Sequence, residues 1–295
     1  MGKTVKSKTS TMVKVVTDSS CDLPPQIVHS LDITIVPLYI QFGGKTYCDG
    51  VDISSDRLYH ELAHSSEIPK TSAPSPGDFI KVYNNLAREA NQIISIHLSQ
   101  GYSATFNAAM LARSYMEDEC RVEIIDSNSV SVGLGLLVIA AAKAAQEGKD
   151  LDQITDLVNH AIQRVHLFGK IDDLAHILKG RRIPLTRGLI LLGKVATAMN
   201  VNPLGELYDG GKVRSPAFIF GQARALNRLK RWAESFAPVR EIAIAHSTKP
   251  EEAEMLAQRL EPLFPRERIL ITRFGCVTST YVGPGTLAIA LLSGK

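Results

Sequence analysis

The chain has 295 residues, of which 45% are hydrophobic and 21% charged. That composition excludes a disordered polymer and leaves room for one large or two ordinary domains with a sizeable core. Its 33 basic and 30 acidic residues give a net charge of +3, too balanced for a general nucleic-acid binder.

Residues 1–12, "MGKTVKSKTSTM", are basic and polar without the apolar stretch of a secretory signal. Lys6 stands where a myristoylation signal needs Ser or Thr. We read this segment as a disordered tail. Cys21, Cys48, Cys120 and Cys276 form no CxxC pair, which fits a reduced, cytoplasmic setting.

From residue 13 onward, short β-branched runs alternate with helical patterns. This predicts an α/β fold with largely parallel sheets. Residues 13–17 and 33–42 read as strands, the second closed by the turn Gly43-Gly44. A helix over 54–66 starts from Ser54 or Ser55 as N-cap. Residues 70–76 read as a loop stiffened by prolines, with Pro76 in the first turn of the next helix. Strands follow at 92–99 and 121–127, with a helix over 105–116 between them. The longest apolar run lies in a helix ending at Gly148. It is too short to span a bilayer.

A second helix, 151–165, leads to a domain boundary near residue 160. The division expected is a tail at 1–12, an N-terminal α/β domain at 13–160 and a C-terminal α/β domain at 161–295. The second domain reads as a strand at 166–171, helices at 172–180 and 186–199, and a hairpin about the turn Asp209-Gly210-Gly211. A helix at 221–236, a strand at 241–247, a helix at 250–264 and strands at 268–275 and 285–292 complete it.

Two hydroxyl-rich loops carry the functional signal. "KTSAPSP" offers Thr71, Ser72 and Ser75; "HLSQGYSATF" offers Ser99, Gly101, Ser103 and Thr105 at a strand-to-helix junction. Helix N-termini hold anions through free N–H groups and their partial positive charge. Hydroxyls beside such groups suit a carboxylate, whereas a dianionic phosphate attracts a cation as well. The stretch 97–106 carries no Lys or Arg beside its hydroxyls, and capping by Ser103 alone leaves the first loop unexplained.

Other motifs have plainer readings. "HELAH" matches the HExxH pattern of zinc peptidases, with His60 and His64 as ligands, Glu61 as base and Glu89 as a third ligand. It also reads as a surface helix with Leu58 and Leu62 facing the core. Residues 188–195 match the spacing of a phosphate loop, but Val195 stands where a hydroxyl is required and the inner residues are apolar. The basic helix at 224–232 is a solvated face or a docking surface for an acidic partner or a phosphate. His246 ends a strand, a position that is functional in some α/β folds.

The two loops resemble those of the DegV family of bacterial fatty-acid-binding proteins. "TSAPS" at 71–75 is similar to the family's "TSQPS", and "LSQGYSATFNAA" at 98–109 to its "LSSGLSGTYQSA". Further likenesses are "VVTDSSCDLP" at 15–24, "IIDSNSVSVGLGLL" at 124–137, "LKGRRI" at 178–183 and "GPG" at 283–285. The resemblance implies two α/β domains with a lipid tunnel between them. It implies that Thr71 and Ser103 hold the carboxylate of a long-chain fatty acid, with Ser72, Gly101, Ala104 and Tyr281 in the head-group vicinity. It also implies a carrier rather than an enzyme, with no cofactor or metal. A partner fatty-acid kinase would do the chemistry and feed phospholipid metabolism, Arg224 would contact that kinase or its phosphate, and lipid exchange would bring transient membrane contact.

The chain departs from the family pattern at Tyr281, which replaces a His, and at Gln222 and Asn202, which replace Lys. Arg181 replaces a Gly beside the retained Arg182. The departures fall on head-group and kinase-facing positions. Two further readings remain open: a binding module for another small anion, and a zinc enzyme using the HELAH motif.

Overall fold

Val13–Asp18 (β1) is buried along its whole length, as a strand covered on both faces must be. The computed structural model describes residues 12–65, 67–116, 120–173, 176, 201–208 and 212–294. Elements are numbered over those residues. The first half continues with Pro25–Ser30 (α1), Ile33–Val36 (β2), Tyr39–Phe42 (β3), Lys45–Cys48 (β4), Ser55–His64 (α2), Lys70–Ser72 (β5), Pro76–Leu86 (α3), Gln92–His97 (β6), Thr105–Arg113 (α4) and Arg121–Asp126 (β7). The second half comprises Val132–Gln146 (α5), Leu151–Ile162 (α6), Val165–Lys170 (β8), Val201–Tyr208 (β9), Lys212–Phe220 (β10), Gln222–Glu234 (α7), Val239–His246 (β11), Pro250–Leu260 (α8), Leu270–Arg273 (β12), Cys276–Val282 (α9) and Leu287–Ser293 (β13).

Strands β2, β1, β6 and β7 form, in that order, a parallel sheet. The chain leaves β1 for β2 on one side and returns to β6 on the other. The C-terminal ends of β1 and β6 therefore flank a topological switch point, where open α/β sheets bind their ligands.

The second sheet corrects the expectation of largely parallel pairing. Its order is β10-β9-β8-β13-β11-β12, and only β11 and β12 run parallel. The expected hairpin joins β9 to β10, and β13 inserts antiparallel between β8 and β11. The turn at 209–211, residues 177–180 of the helix expected at 172–180, the helix expected at 186–199, the phosphate-loop match at 188–195, Arg181 and Arg182, and residues 1–11 of the tail expected at 1–12 lie outside the described residues.

A third sheet, β4-β3-β5, has two strands that the sequence reading missed. The single strand expected at 33–42 is two. Pro37 cannot donate to a ladder, and the chain passes there from the parallel sheet into this small antiparallel one. Residues 70–72, read as loop, pair with β3 as β5. Three residues are too few to show alternation by themselves.

Helix α5 is apolar around most of its surface because most of it is buried, with Lys143 and Gln146 exposed near its end. Leu134, Val138 and Ala141 pack with Val15, Ile94 and Ile96 of the parallel sheet. Val132 and Leu136 pack with Leu167, Ala243 and Ala288 of the mixed sheet. Gly135 permits the contact: a Cβ there would lie 2.8 Å from the carbonyl oxygen of Cys21.

Candidate functional site

Between these sheets lies a cavity with about 180 Å³ of room for the centres of water molecules. Leu38, Leu98 and Val130 form part of its wall from one side, and Leu167, Leu207 and Phe274 from the other. Among the described residues, no Lys, Arg or His belongs to the wall. The nearby Lys170 is buried and tied to Asp172 at 2.7 Å and Glu252 at 2.6 Å.

Thr71 and Ser103 both belong to this wall, the first on β5 and the second on the loop between β6 and α4. Side chains alternate along a strand, so Thr71 turns inward on β5 while its neighbours Lys70 and Ser72 are exposed. The Thr71 hydroxyl hydrogen-bonds the phenol of Tyr281, also in the wall. Ser103 precedes α4. Its Oγ accepts the Thr105 N–H at 3.3 Å and lies 2.8 Å from Thr105 Oγ1.

The loop before α4 is closed on itself. The N–H of Gly101 bonds Ser99 Oγ at 3.2 Å, and those of Tyr102 and Ser103 point to the Ser99 carbonyl. These amides are taken, and the loop contributes the side chains of Tyr102 and Ser103 to the cavity wall. Ser75 is likewise occupied, as N-cap of α3 in a capping box with Asp78. Ser72, Gly101 and Ala104 are exposed and outside the wall, as is Arg224 on α7.

Beneath the loop runs a buried network that sequence inspection did not find. Tyr83 donates its O–H to Ser95 Oγ at 2.8 Å, and Ser95 Oγ lies 2.7 Å from His97 Nε2. His97 Nδ1 lies 3.0 Å from Asp18 Oδ2, which also accepts the Leu98 N–H at 3.0 Å. Asp18 Oδ1 accepts from Ser20, whose hydroxyl donates at 2.5 Å. The Asp18–His97–Ser95 connectivity is that of a hydrolase triad. Yet Ser95 is fully buried, lies outside the cavity wall and already accepts from Tyr83, so it is no nucleophile. The network ties the ends of β1 and β6 together at the switch point.

Helix α9 carries Tyr281 and was missed in the sequence, where its β-branched run 277–282 does not read as helix. Capping from distant residues explains it. Asp22 Oδ1 accepts the Gly275 N–H at 2.8 Å, and Asp49 Oδ1 accepts the Cys276 N–H at 3.0 Å. Two buried carboxylates thus satisfy orphan donors at the helix start. Burial pushes the Asp22 carboxyl up to about 7, against the pull of its hydrogen bonds to Ser131 and Gly275, while nearby Asp49 adds repulsion. Burial raises Asp49 too.

In the HELAH segment, His60 and His64 are exposed with ring centroids 4.7 Å apart, and His64 Nδ1 meets the His60 carbonyl at 2.8 Å. Glu61 is 3.9 Å from Arg57, and Glu89 is 3.3 Å from Lys14. No group of three or more potential ligands occurs among the described residues. His246 is half-buried at the end of β11, outside the cavity wall; burial and then Arg273 hold its imidazole below the usual range.

Comparison with known proteins decides the family. Residues 12–294 match the model of the family described as "Uncharacterised protein, DegV family". The chain belongs to the DegV family. A DegV domain-containing protein of Staphylococcus aureus is 32% identical over 281 residues, covering 94% of this chain and 98% of that one. Among solved structures, a DegV family protein from Thermus thermophilus described for its fatty acid binding is 26% identical. It matches with a TM-score of 0.85 over 96% of this chain and 99% of that one. The fatty acid kinase (Fak) B3 protein of Streptococcus pneumoniae, solved with linoleic acid, shares the DegV fold. Its identity is 21% and its TM-score 0.82, over 96% of this chain and 99% of its own.

Proposed function

We propose that this DegV protein binds a long-chain fatty acid in the cavity, with the carboxylate held by Thr71 and Ser103. One observation carries the reading: two hydroxyls, one on β5 and one on the loop before α4, line one apolar cavity whose described wall has no cation. With the chain divided near residue 160, the ligand lies between the two domains.

The energetics are consistent. Burying roughly fourteen methylenes contributes about 11 kcal/mol gross at about 0.8 kcal/mol each. Ordering and immobilising the ligand costs several kcal/mol of that. The tail therefore supplies most of the affinity, and the hydroxyls need only orient the carboxylate. An Arg clamp would hold both oxygens; neutral donors leave one accessible for reaction.

The finer reading is that of a carrier. The bound carboxylate is presented to a fatty-acid kinase, which makes the acyl phosphate, and the chain itself catalyses nothing. Transient membrane contact would serve lipid exchange. Support comes from the solved kinase-system relative and from the exposed Arg224 on the basic helix α7. Mass spectrometry of lipid extracted from the purified protein tests the binding. Repeatedly empty extracts, together with no rise in melting temperature on adding palmitate, would end the reading. Acyl-phosphate formation with a fatty-acid kinase tests the partnership. Unchanged turnover in Arg224→Ala would remove Arg224 from it.

A further inference from the structure

The cavity wall carries a second group of hydroxyls that the carboxylate reading does not use. Ser20, Ser131 and Thr278 all belong to the wall, and none is more than 7% exposed. The wall around them is mostly apolar, and hydroxyls in such a place are costly unless they are paired.

Two of the three have their protons committed. Ser20 donates to Asp18 Oδ1 at 2.5 Å, and Ser131 donates to Asp22 Oδ2 at 2.5 Å. Each oxygen keeps only lone pairs for anything in the cavity. Thr278 leans toward Asp22, but its Oγ1 closes no hydrogen bond of normal geometry. The patch thus presents two acceptors and one hydroxyl able to give or take.

Its position along the cavity is set by α9. Thr278 and Tyr281 are one turn apart on the same face. With a rise of about 1.5 Å per residue, Thr278 lies about 4.5 Å along the helix from the Tyr281–Thr71 pair. That is the length of about three or four carbon–carbon bonds in an extended chain. Phe274, packed with Leu167 and Ala288, precedes the start of α9 and also lines the cavity. A ligand that runs from Thr71 to Phe274 passes Thr278.

We propose that Ser20, Ser131 and Thr278 recognise a hydroxyl on the bound acyl chain, so that the preferred ligand is a fatty acid hydroxylated within the first few carbons of its carboxyl end. The inference rests on the fatty-acid reading above. A ligand hydroxyl donates to Ser20 or Ser131 and accepts from Thr278. A plain methylene at that point leaves Thr278 Oγ1 without a partner and the free lone pairs of Ser20 and Ser131 unused.

The test is binding of 3-hydroxymyristic and myristic acids to the delipidated full chain, with 12-hydroxystearic and stearic acids as a pair whose hydroxyl lies far from the head. The wild type should favour the 3-hydroxy acid over its plain partner by about tenfold, the worth of one charge-free hydrogen bond pair. It should show no preference within the 12-hydroxy pair. Thr278→Val keeps the side-chain shape and removes the hydroxyl. It should collapse the 3-hydroxy preference while myristic acid binds as tightly or more tightly. Equal binding of both acids to the wild type, or an unchanged preference in Thr278→Val, would overturn the inference and leave the fatty-acid reading standing. If neither acid binds the wild type, both fall.

Discussion

The Tyr281 phenol and the Thr71 hydroxyl, 210 positions apart in the chain, share one hydrogen bond in the cavity wall. Thr71 is held by the three-stranded sheet. Tyr281 is held by α9, whose first amides are fastened by Asp22 and Asp49. Separate elements thus deliver two neutral donors to one point. They can trade their mutual bond for bonds to a carboxylate oxygen without bringing a charge into the cavity.

Removing the phenol tests its share of that task. Tyr281→Phe should weaken fatty-acid binding by about fivefold to tenfold, the worth of about 1 kcal/mol for one hydrogen bond. Displacement of a fluorescent fatty acid measures it, and binding of an alkane without a head group should not change.

Replacing the phenol with imidazole adds a titrating charge. The unperturbed value of a histidine is near 6.5, and a carboxylate beside it raises that value. Tyr281→His should therefore bind fatty acid more tightly as pH falls from about 7.5 to 5.5, relative to wild type over the same range. A Kd profile parallel to that of wild type would show that position 281 does not face the carboxylate.

Asp22 makes stability depend on pH with a definite sign. Its carboxyl, ordinarily near 3.8, sits at about 7 in the folded chain. Such a group takes up a proton on folding, so its contribution is fully present below the unfolded value and is lost as pH rises through the folded one. The melting temperature should fall between pH 4 and pH 7 for this reason, and Asp22→Asn should flatten the slope. Each kcal/mol recovered corresponds to roughly 2–4 °C for a chain of this size class. Calorimetric scans across that range check it.

The buried network at the switch point is expected to act on stability. His97→Leu removes one donor to the buried Asp18 carboxylate and one partner of Ser95, while Leu98, Ser20 and Tyr83 keep their bonds to them. The cost should be about 3 kcal/mol in denaturant unfolding. His97→Asn, which can restore the donor to Asp18, should recover part of it.

Part of the cavity wall was legible in the sequence because each of two loops carries its own hydroxyl signal. The resemblance of "TSAPS" and "LSQGYSATFNAA" to the family singled out Thr71 and Ser103, and both stand in the cavity wall. Ser72 did not follow, because alternation along β5 turns it outward, and a three-residue strand cannot be read from its own pattern. Helix α9 was illegible for a different reason. What starts it is Asp22 and Asp49, more than 220 residues upstream, and no window around Cys276 contains them. The same holds for the Asp18–His97 bond, which closes only when β1 and β6 lie side by side. The mixed pairing of the second sheet was hidden because β13, last in the chain, inserts between β8 and β11. Local patterns report a strand, but its neighbours are settled by the whole chain.

The central claim is that Thr71 and Ser103 hold the carboxylate of a fatty acid whose tail fills the cavity. The most direct measurement is the Kd for palmitic acid of the wild type and of the double variant Thr71→Ala with Ser103→Ala. Melting temperatures confirm that the variant is folded. Two lost hydrogen bonds to an ionised group predict a Kd about two to three orders of magnitude weaker in the double variant. Equal affinity in the two folded proteins would contradict the claim.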